Sequence, residues 1–336
     1  MQPAAPEPNA SAPPPERLAV VCPCYDEAPS IQAFHTALIR VLDALAPRVE
    51  ARVLYVDDGS ADGTLALLEG LAAADPRVAV APLSRNFGHQ AALSAGLTLA
   101  AGADAVVVLD SDLQHPPEVI PQLLERWREG AQVVLAVRKR TAGAGLGKRL
   151  SSAAFYKVFN RLSETQIQEG AADFYLLAER VREVLAGLPE RGRFMRGLVA
   201  WVGFRRAQVE FEAPERAAGR SKYTPARMIG LALDAVLSFS TAPIRLATRA
   251  GLGIVLLGAC YLAYVLYRYA FAGDLVQGWA SLISVVLILG GAQIMFMGLV
   301  GEYVARAYRE TKGRPTYVLA RPLAAPLWGA RPDAEA

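Results

Sequence analysis

Two hydrophobic rhythms alternate between Leu18 and Val137. Short, continuous apolar runs occur at Leu18–Cys22, Val53–Val56, Val78–Val80, Ala105–Leu109 and Val133–Val137. Runs of this length, rich in valine, read as strands buried on both faces. Between them the apolar positions recur at helical spacing, over Ser30–Leu45, Asp62–Ala74, His89–Ala101 and Pro117–Arg128. Ser30 and Asp62 are candidate N-caps, and Pro117 suits a first helical turn. Strand–helix alternation of this kind predicts an α/β domain with a parallel sheet covered on both faces. In such sheets ligands sit beyond the carboxyl ends of the strands, so the polar residues after each strand are the candidates for chemistry.

The last third of the chain changes character. Ala250–Tyr267 holds 18 residues without a charge and Leu275–Gly301 holds 27. At a helical rise of 1.5 Å these reach roughly 27 Å and 40 Å, enough to cross a hydrocarbon core of about 30 Å. The link Arg268–Asp274 is short. Arg245 and Arg249 precede the first run, and Arg306, Arg309, Lys312 and Arg314 follow the second. The positive-inside rule then predicts a transmembrane hairpin with both outer flanks in the cytosol. Tyr267, Tyr269, Phe271 and Trp279 would form an aromatic belt at the far interface. Pro225–Thr248 reads as one or two helices along the membrane surface.

Composition narrows the classes. Hydrophobic residues make up 53% of the 336 residues and charged residues 20%, and mean hydropathy is +0.24, which excludes a largely disordered chain. The net charge of +3 gives no polycation built for nucleic acid. Residues 1–15 carry six prolines and four alanines, the composition of a disordered leader, without the basic and apolar blocks of a secretory signal. The leading domain is therefore expected in the cytosol. The three cysteines form neither a disulfide framework nor a zinc site; Cys22 and Cys24 read as strand-end packing.

The strand ends are acidic. Val108-Leu-Asp-Ser-Asp-Leu-Gln114 places Asp110 and Asp112 two residues apart after an apolar strand. In extended backbone such a pair shares one side, and its mutual repulsion is relieved by a cation. Hard oxygen ligands suit Mg²⁺ or Mn²⁺, with a substrate diphosphate completing the shell. Val56-Asp-Asp-Gly-Ser-Ala-Asp-Gly-Thr64 sets Asp57 and Asp58 at another strand end, where a carboxylate can accept the imide N–H of a uracil or a ring donor of another base. Pro23-Cys-Tyr-Asp-Glu27 adds an aromatic ring and two acids. Neither G-x-G-x-x-G nor G-x-x-x-x-G-K-[ST] is present, which argues against dinucleotide oxidoreductases and P-loop enzymes.

Taken in order, Cys22-Pro-Cys-Tyr-Asp-Glu, Val56-Asp-Asp-Gly-Ser-x-Asp-Gly-Thr, Ser84-Arg-Asn-Phe-Gly-His-Gln and Leu109-Asp-Ser-Asp-Leu-Gln-His-Pro-Pro-Glu resemble a family 2 inverting glycosyltransferase. The branch they resemble is the polyprenyl-phosphate sugar transferases, over residues 17–315. Asp26 stands where that family usually has Asn. The resemblance implies a GT-A, Rossmann-like mixed sheet over 17–224, surface helices over 225–249, two transmembrane helices over 250–305 and a cytoplasmic tail over 306–336. It implies that Pro23, Tyr25, Glu27, Asp58 and Asp110 bind the nucleotide. Asp110, Asp112 and Gln114 are the implied metal set, and Arg85, Asn86 and Gly88 border the nucleotide pocket.

On the acceptor side, Arg138 ends a strand before the glycine-rich, basic stretch that carries Arg149 and Ser152. Glu215-Arg-Ala-Ala-Gly-Arg-Ser-Lys-Tyr223, with Arg216 and Lys222, resembles the family's Arg-x-x-Gly-x-Ser-Lys-Tyr element. These basic groups stand where a lipid phosphate would meet the enzyme. Asp173 matches a family acid near the acceptor. A phosphate monoester has a second pKa of about 6, so Asp173 is expected to position the acceptor more than to act as its base. His89 and His115 are expected to cap or pack, and His35 to lie on the surface.

The expected reaction is metal-dependent, inverting sugar transfer from a UDP-sugar to undecaprenyl phosphate at the cytoplasmic face of the inner membrane, by a homo-oligomer such as a tetramer. A processive polysaccharide synthase would carry Gln-x-x-Arg-Trp and more spans. A catalytically silent scaffold would not need the Asp110, Asp112 and Gln114 set.

Overall fold

A computed structural model describes residues 15–139, 171–212, 242–272, 278–323 and 325–328. Seven strands form one sheet in the order β3-β2-β1-β4-β6-β5-β7. They are β1 (Glu16–Cys24), β2 (Val49–Asp57), β3 (Val78–Pro82), β4 (Ala105–Val108), β5 (Val133–Arg138), β6 (Ala171–Ala178) and β7 (Arg206–Phe211). Strand β1 pairs in parallel with β2 and β4, β2 with β3, and β5 with β7. Strand β6 runs antiparallel to both its neighbours. The alternation by itself suggests a parallel sheet; the mixed sheet that the resemblance implies is the one found. Side-chain period does not encode strand direction, and an apolar run such as Phe174-Tyr-Leu-Leu177 is equally buried either way round.

Alternate residues of β1 serve the two faces, as strand geometry requires. Leu18, Val20 and Cys22 pack with Ile31, Phe34 and Leu38 of α1 (Ala28–Leu45), Leu68 of α2 (Thr64–Ala74) and Leu123 of α4 (Ile120–Arg128). Ala19 and Val21 face α3 (His89–Leu99), α5 (Glu179–Gly187) and α6 (Met195–Trp201). Helix α3 lies close against β1. A Cβ on Gly96 would stand 2.2 Å from Val21 Cγ1.

Helix starts differ slightly from the sequence reading. Helix α1 begins at Ala28, so Ser30 sits inside it and its hydroxyl donates back to the Glu27 carbonyl and carboxylate. Helix α2 begins at Thr64, and Asp62 accepts from the Thr64 N–H at 3.0 Å. Pro117 opens a short 3₁₀ turn before α4. His35, expected on the surface, is half-buried with Nδ1 3.0 Å from the Tyr55 hydroxyl. Its position on α1 turns it toward β2. Cys22 and Cys24 are buried, and burial pushes both thiols up, as strand packing requires.

Two long helices follow, α7 (Ala242–Ala272) and α8 (Trp279–Thr311). At 31 and 33 residues they are roughly 46 Å and 50 Å long. Within α8, Ile288–Thr311 is long and apolar enough to cross a membrane, with mean hydropathy 1.4 and none of it buried. Leu257, Phe271, Ile288 and Ile294 stand at least 70% exposed, and an outward apolar surface of this size marks contact with lipid or protein. The part of the surface-helix segment before Ala242 lies outside the described residues.

The chain then returns to the sheet. Glu310, near the end of α8, accepts from the backbone N–H groups of Arg191 and Gly192 at 3.1 Å. Beyond it, Ser84 N–H donates to Val318 O and Ala320 N–H to Pro82 O, both at 2.8 Å. Arg52 donates to the Leu327 carbonyl and lies over the Trp328 ring, and Leu327 and Trp328 are buried. In the segment expected as a cytoplasmic tail, the described residues up to Trp328 thus dock on the sheet, where Leu327 and Trp328 join the core beside β2.

Replacing Gly96 by Ala must displace either α3 or the stiff Val21 side chain. The expected cost is about 1–3 kcal/mol, read as a fall of several degrees in the thermal unfolding midpoint with donor affinity unchanged in the folded fraction.

Candidate active site

Because β1, β2, β3, β4 and β5 are mutually parallel, their carboxyl ends meet at one edge. The reversal of β6 brings its start, and with it Asp173, to that same edge. Asp110 and Asp112 lie just past β4; Tyr25 and Glu27 past β1; Asp58 past β2; Arg138 at the end of β5. The structure thus brings together the predicted nucleotide and metal residues with Asp173 and Arg138. Arg149, Ser152, Arg216 and Lys222 lie outside the described residues.

The loops after β1 and β2 are laced together. Asp26 N–H donates to Ser60 Oγ at 3.0 Å, Ala61 N–H to Asp26 Oδ1 at 2.9 Å, and Glu27 N–H to Thr64 Oγ1 at 2.9 Å. Asp26 has φ 51, a left-handed conformation that Asn and Asp tolerate best. An aspartate therefore suits this position. Asp58 is 3% exposed, and its carboxylate accepts from Phe87 N–H at 2.7 Å and Gly88 N–H at 2.9 Å. It shapes the Ser84–Gly88 loop from within. Gly59, at φ +68, is required there: a Cβ would lie 2.6 Å from backbone atoms of Arg85 and Asn86. Tyr25 is 41% exposed, an aromatic face open to the edge. Pro23, the last but one residue of β1, accepts through its carbonyl from the Ser111 hydroxyl at 3.2 Å and so ties β1 to the Asp110–Asp112 turn.

That turn is self-supporting. Asp112 accepts from Gln114 N–H at 3.1 Å and from Gln114 Nε2 at 2.8 Å, and Leu113 has φ 64. Asp110 N–H donates to His115 Nδ1 at 3.0 Å. His115 is therefore neutral, with its proton on Nε2. Burial lowers its pKa, and its ring stacks on Phe174 with centroids 5.2 Å apart. The packing role expected for His115 holds.

His89 does more than cap. Its Nε2 lies 3.4 Å from Asp173 Oδ2 and 3.7 Å from Asp110 Oδ1, because the first residue of α3 points across the edge toward β6. Burial lowers its pKa, but Asp173 and Asp110 outweigh this and raise it overall. Arg196, at the start of α6, grips Asp173 through Nε–Oδ1 at 2.8 Å and Nη2–Oδ2 at 2.9 Å. Burial alone would raise the Asp173 carboxyl; Arg196 and His89 hold it well below the usual carboxylate range. Asp110, by contrast, is raised, chiefly by burial and also by the nearby Asp173 and Asp112 carboxylates against the two histidines. The sequence reading missed Arg196. It lies in Arg193-Phe-Met-Arg-Gly, a basic run whose partner is 23 residues earlier in the chain.

Asp110 and Asp112 supply hard carboxylate oxygens at the mouth of this cleft, with Gln114 beside them. A group of three or more His, Cys, Asp or Glu side chains arranged as metal ligands is absent among the described residues. Two carboxylates with an amide beside them fit a hard cation that takes one or two protein carboxylates and the rest of its shell from a substrate diphosphate and water, the habit of Mg²⁺ and Mn²⁺.

A mixed sheet of this order, with acids crowding the ends of β1, β2 and β4, defines a GT-A nucleotide-sugar transferase. The chain belongs to the family 2 glycosyltransferases, in the polyprenyl-phosphate branch. Residues 19–178 match glycosyl transferase family 2, and residues 242–307 match the GtrB C-terminal hairpin. The SfII prophage-derived bactoprenol glucosyl transferase of Shigella flexneri is 39% identical over 303 residues, 90% of this chain and 97% of its own. The prophage bactoprenol glucosyl transferase homolog of Escherichia coli is 38% identical over 305 residues, 91% and 99%. Among solved structures, a mannosyltransferase from Pyrobaculum calidifontis in complex with GDP-Man and Mn²⁺ aligns at 21% identity and TM-score 0.49, covering 88% of this chain and 85% of its own. This chain is an enzyme, a glycosyltransferase, and membrane-associated.

The Asp173–Arg196 pair gives a signed pH prediction. The folded-state pKa of Asp173 lies below its unfolded value of about 3.9. Its contribution to stability is therefore full above pH 4 and is lost as pH falls toward the folded value. Asp173→Asn should lower stability by about 1–3 kcal/mol at neutral pH and flatten the acid limb of a stability-versus-pH curve. An unchanged acid limb would assign the pair no such role.

Proposed function

We propose that this chain transfers a sugar, with inversion, from a UDP-sugar to the phosphate of undecaprenyl phosphate at the cytoplasmic face of the membrane. The observation that carries the proposal is the meeting of Asp110, Asp112, Asp173, His89 and Arg196 at one sheet edge, in a chain with an outward apolar helix pair. The Shigella and Escherichia coli relatives, named as bactoprenol glucosyl transferases, support the lipid acceptor and a glucosyl donor.

A divalent cation, Mg²⁺ or Mn²⁺, held by Asp110 and Asp112 with Gln114 beside them, would neutralise charge developing on the departing nucleoside diphosphate. The protein's own residues do the rest. Tyr25 offers a face for the base, and Glu27 and the Asp58-shaped loop frame the nucleoside. Arg138, with Arg149, Ser152, Arg216 and Lys222, attracts and orients the acceptor phosphate. Its oxygen is already anionic near neutral pH, so no general base is needed. Asp173 is poorly suited to be one: Arg196 and His89 hold it as an anion of low proton affinity. Asp173 instead positions His89 and Arg196 along the acceptor side. Holding both substrates in line supplies much of the acceleration, and displacement from the face opposite the leaving group inverts the anomeric centre. The hairpin crosses the bilayer twice, with both termini in the cytosol, and keeps the cleft beside lipid head groups. The chain works as a homo-oligomer.

Purified enzyme given undecaprenyl phosphate, Mn²⁺ and UDP-glucose should release UDP and glycosylate the lipid. Chelation should stop the reaction and added Mg²⁺ or Mn²⁺ restore it. Asp112→Ala should lower kcat at least about a thousandfold, whereas Asp173→Asn should lower it without moving the pH optimum. Turnover that survives chelation, or that needs a non-lipid acceptor, would reject the assignment.

A further inference from the structure

A cavity of about 390 Å³ opens between the carboxyl ends of β2 and β3, lined by Asp57, Gly59, Ser60, Leu83 and Arg85 and, from the far end of the chain, by Ala320 and Arg321. Three observations single it out. Asp57 is 1% exposed; its Oδ2 accepts from Ser60 N–H at 3.2 Å, while its Oδ1 is buried without a hydrogen-bond partner. An unpaired buried carboxylate oxygen at a pocket wall is costly unless a ligand donor meets it. The returning segment is fixed there by main-chain bonds on both sides of Leu83, Ser84 N–H to Val318 O and Ala320 N–H to Pro82 O, and by an antiparallel bridge between Leu83 and Leu319. Arg321 is held at the rim by an ion pair with Glu69. One such pair uses a fraction of the five N–H donors of a guanidinium.

The cavity lies at the right reach from the diphosphate end of the site. Strand β2 is two places from β4, and neighbouring strands are about 4.8 Å apart. The separation of roughly 10 Å matches the span from a diphosphate to the base of the same nucleotide. The segment that closes the cavity lies beyond residue 307, where the match to the hairpin family ends.

We propose that residues Val318–Arg321 are a working part of the donor site: the returning backbone closes the outer wall of the nucleoside pocket, and Arg321 supplies hydrogen-bond donors to the bound nucleoside diphosphate opposite Asp57. This rests on the nucleotide-sugar reading above and adds to it a binding element contributed from beyond the membrane helices. The ligand class is a nucleoside diphosphate whose base carries a ring N–H for Asp57, such as the imide of uracil.

The test is calorimetric titration of the full-length enzyme in detergent with UDP and Mn²⁺, with thermal unfolding of every variant alongside. Arg321 is exposed at its side chain (57%), so its substitution should leave the unfolding midpoint unchanged. Arg321→Ala should weaken UDP binding about three- to tenfold, Arg321→Glu more than tenfold, and Arg321→Lys least. Ala320→Phe, which fills the cavity from the returning segment, should weaken binding more than tenfold while Mn²⁺ dependence persists. Wild-type binding to UDP with all four variants equal to it would overturn the proposal and leave the enzyme's function standing. Wild type that binds neither UDP nor GDP would instead overturn the nucleotide-sugar reading on which it rests.

Discussion

Four carboxylates converge where β2, β4 and β6 meet the ligand edge, and the way their charge is balanced governs the rest of the site. Asp58 is satisfied by two backbone N–H groups, and Asp173 by a two-pronged grip from Arg196 with His89 close by. Both are internal uses: each acid holds a loop or a helix start in place. Among the described residues Asp112 is engaged only by the amide groups of Gln114 within its own turn, and Asp110 faces two histidines at 3.5 Å and 3.7 Å. The residual negative charge is thus left at the mouth of the cleft, on the pair best able to take a hard cation together with a diphosphate.

The mixed topology is what makes this division possible. Had β6 run parallel to its neighbours, Asp173 would lie near the opposite edge of the sheet, and Arg196 would have no carboxylate to bind. The single reversed strand among those described brings an acid to the ligand side without lengthening any loop after β4. Gly59 and Gly96 show the same economy at close range, one letting two loops touch and the other letting α3 settle on β1.

Much of this was legible in the sequence. The positions of β1 to β5 and the acids after them follow from apolar runs that stop abruptly at polar residues. The packing of Cys22, Cys24 and His115 follows from their apolar surroundings. The long uncharged runs near the C-terminus mark the helix pair. What could not be read is what depends on contacts distant in sequence. The direction of β6 leaves no trace in its side-chain period. The grip of Arg196 on Asp173 joins two elements whose spacing carries no motif. His35 and His89 were misjudged because a histidine on a helix is assigned a face only once its neighbours in space are known. The docking of Leu327 and Trp328 is likewise hidden, since two apolar residues in a proline-rich stretch have no period to betray a core position.

Glu310 gives the architecture a mechanical consequence. Its carboxylate seizes two consecutive amides of the loop that leads into α6, and α6 opens with Met195, bonded to Gln90, and with Arg196. A long apolar rod and the anion-gripping end of the cleft therefore share a short, polar hinge pin. The candidate membrane span is thus joined to the start of α6 by direct polar contact as well as by chain connection, so a slide of that rod along its axis would tug on the loop that leads to Arg196.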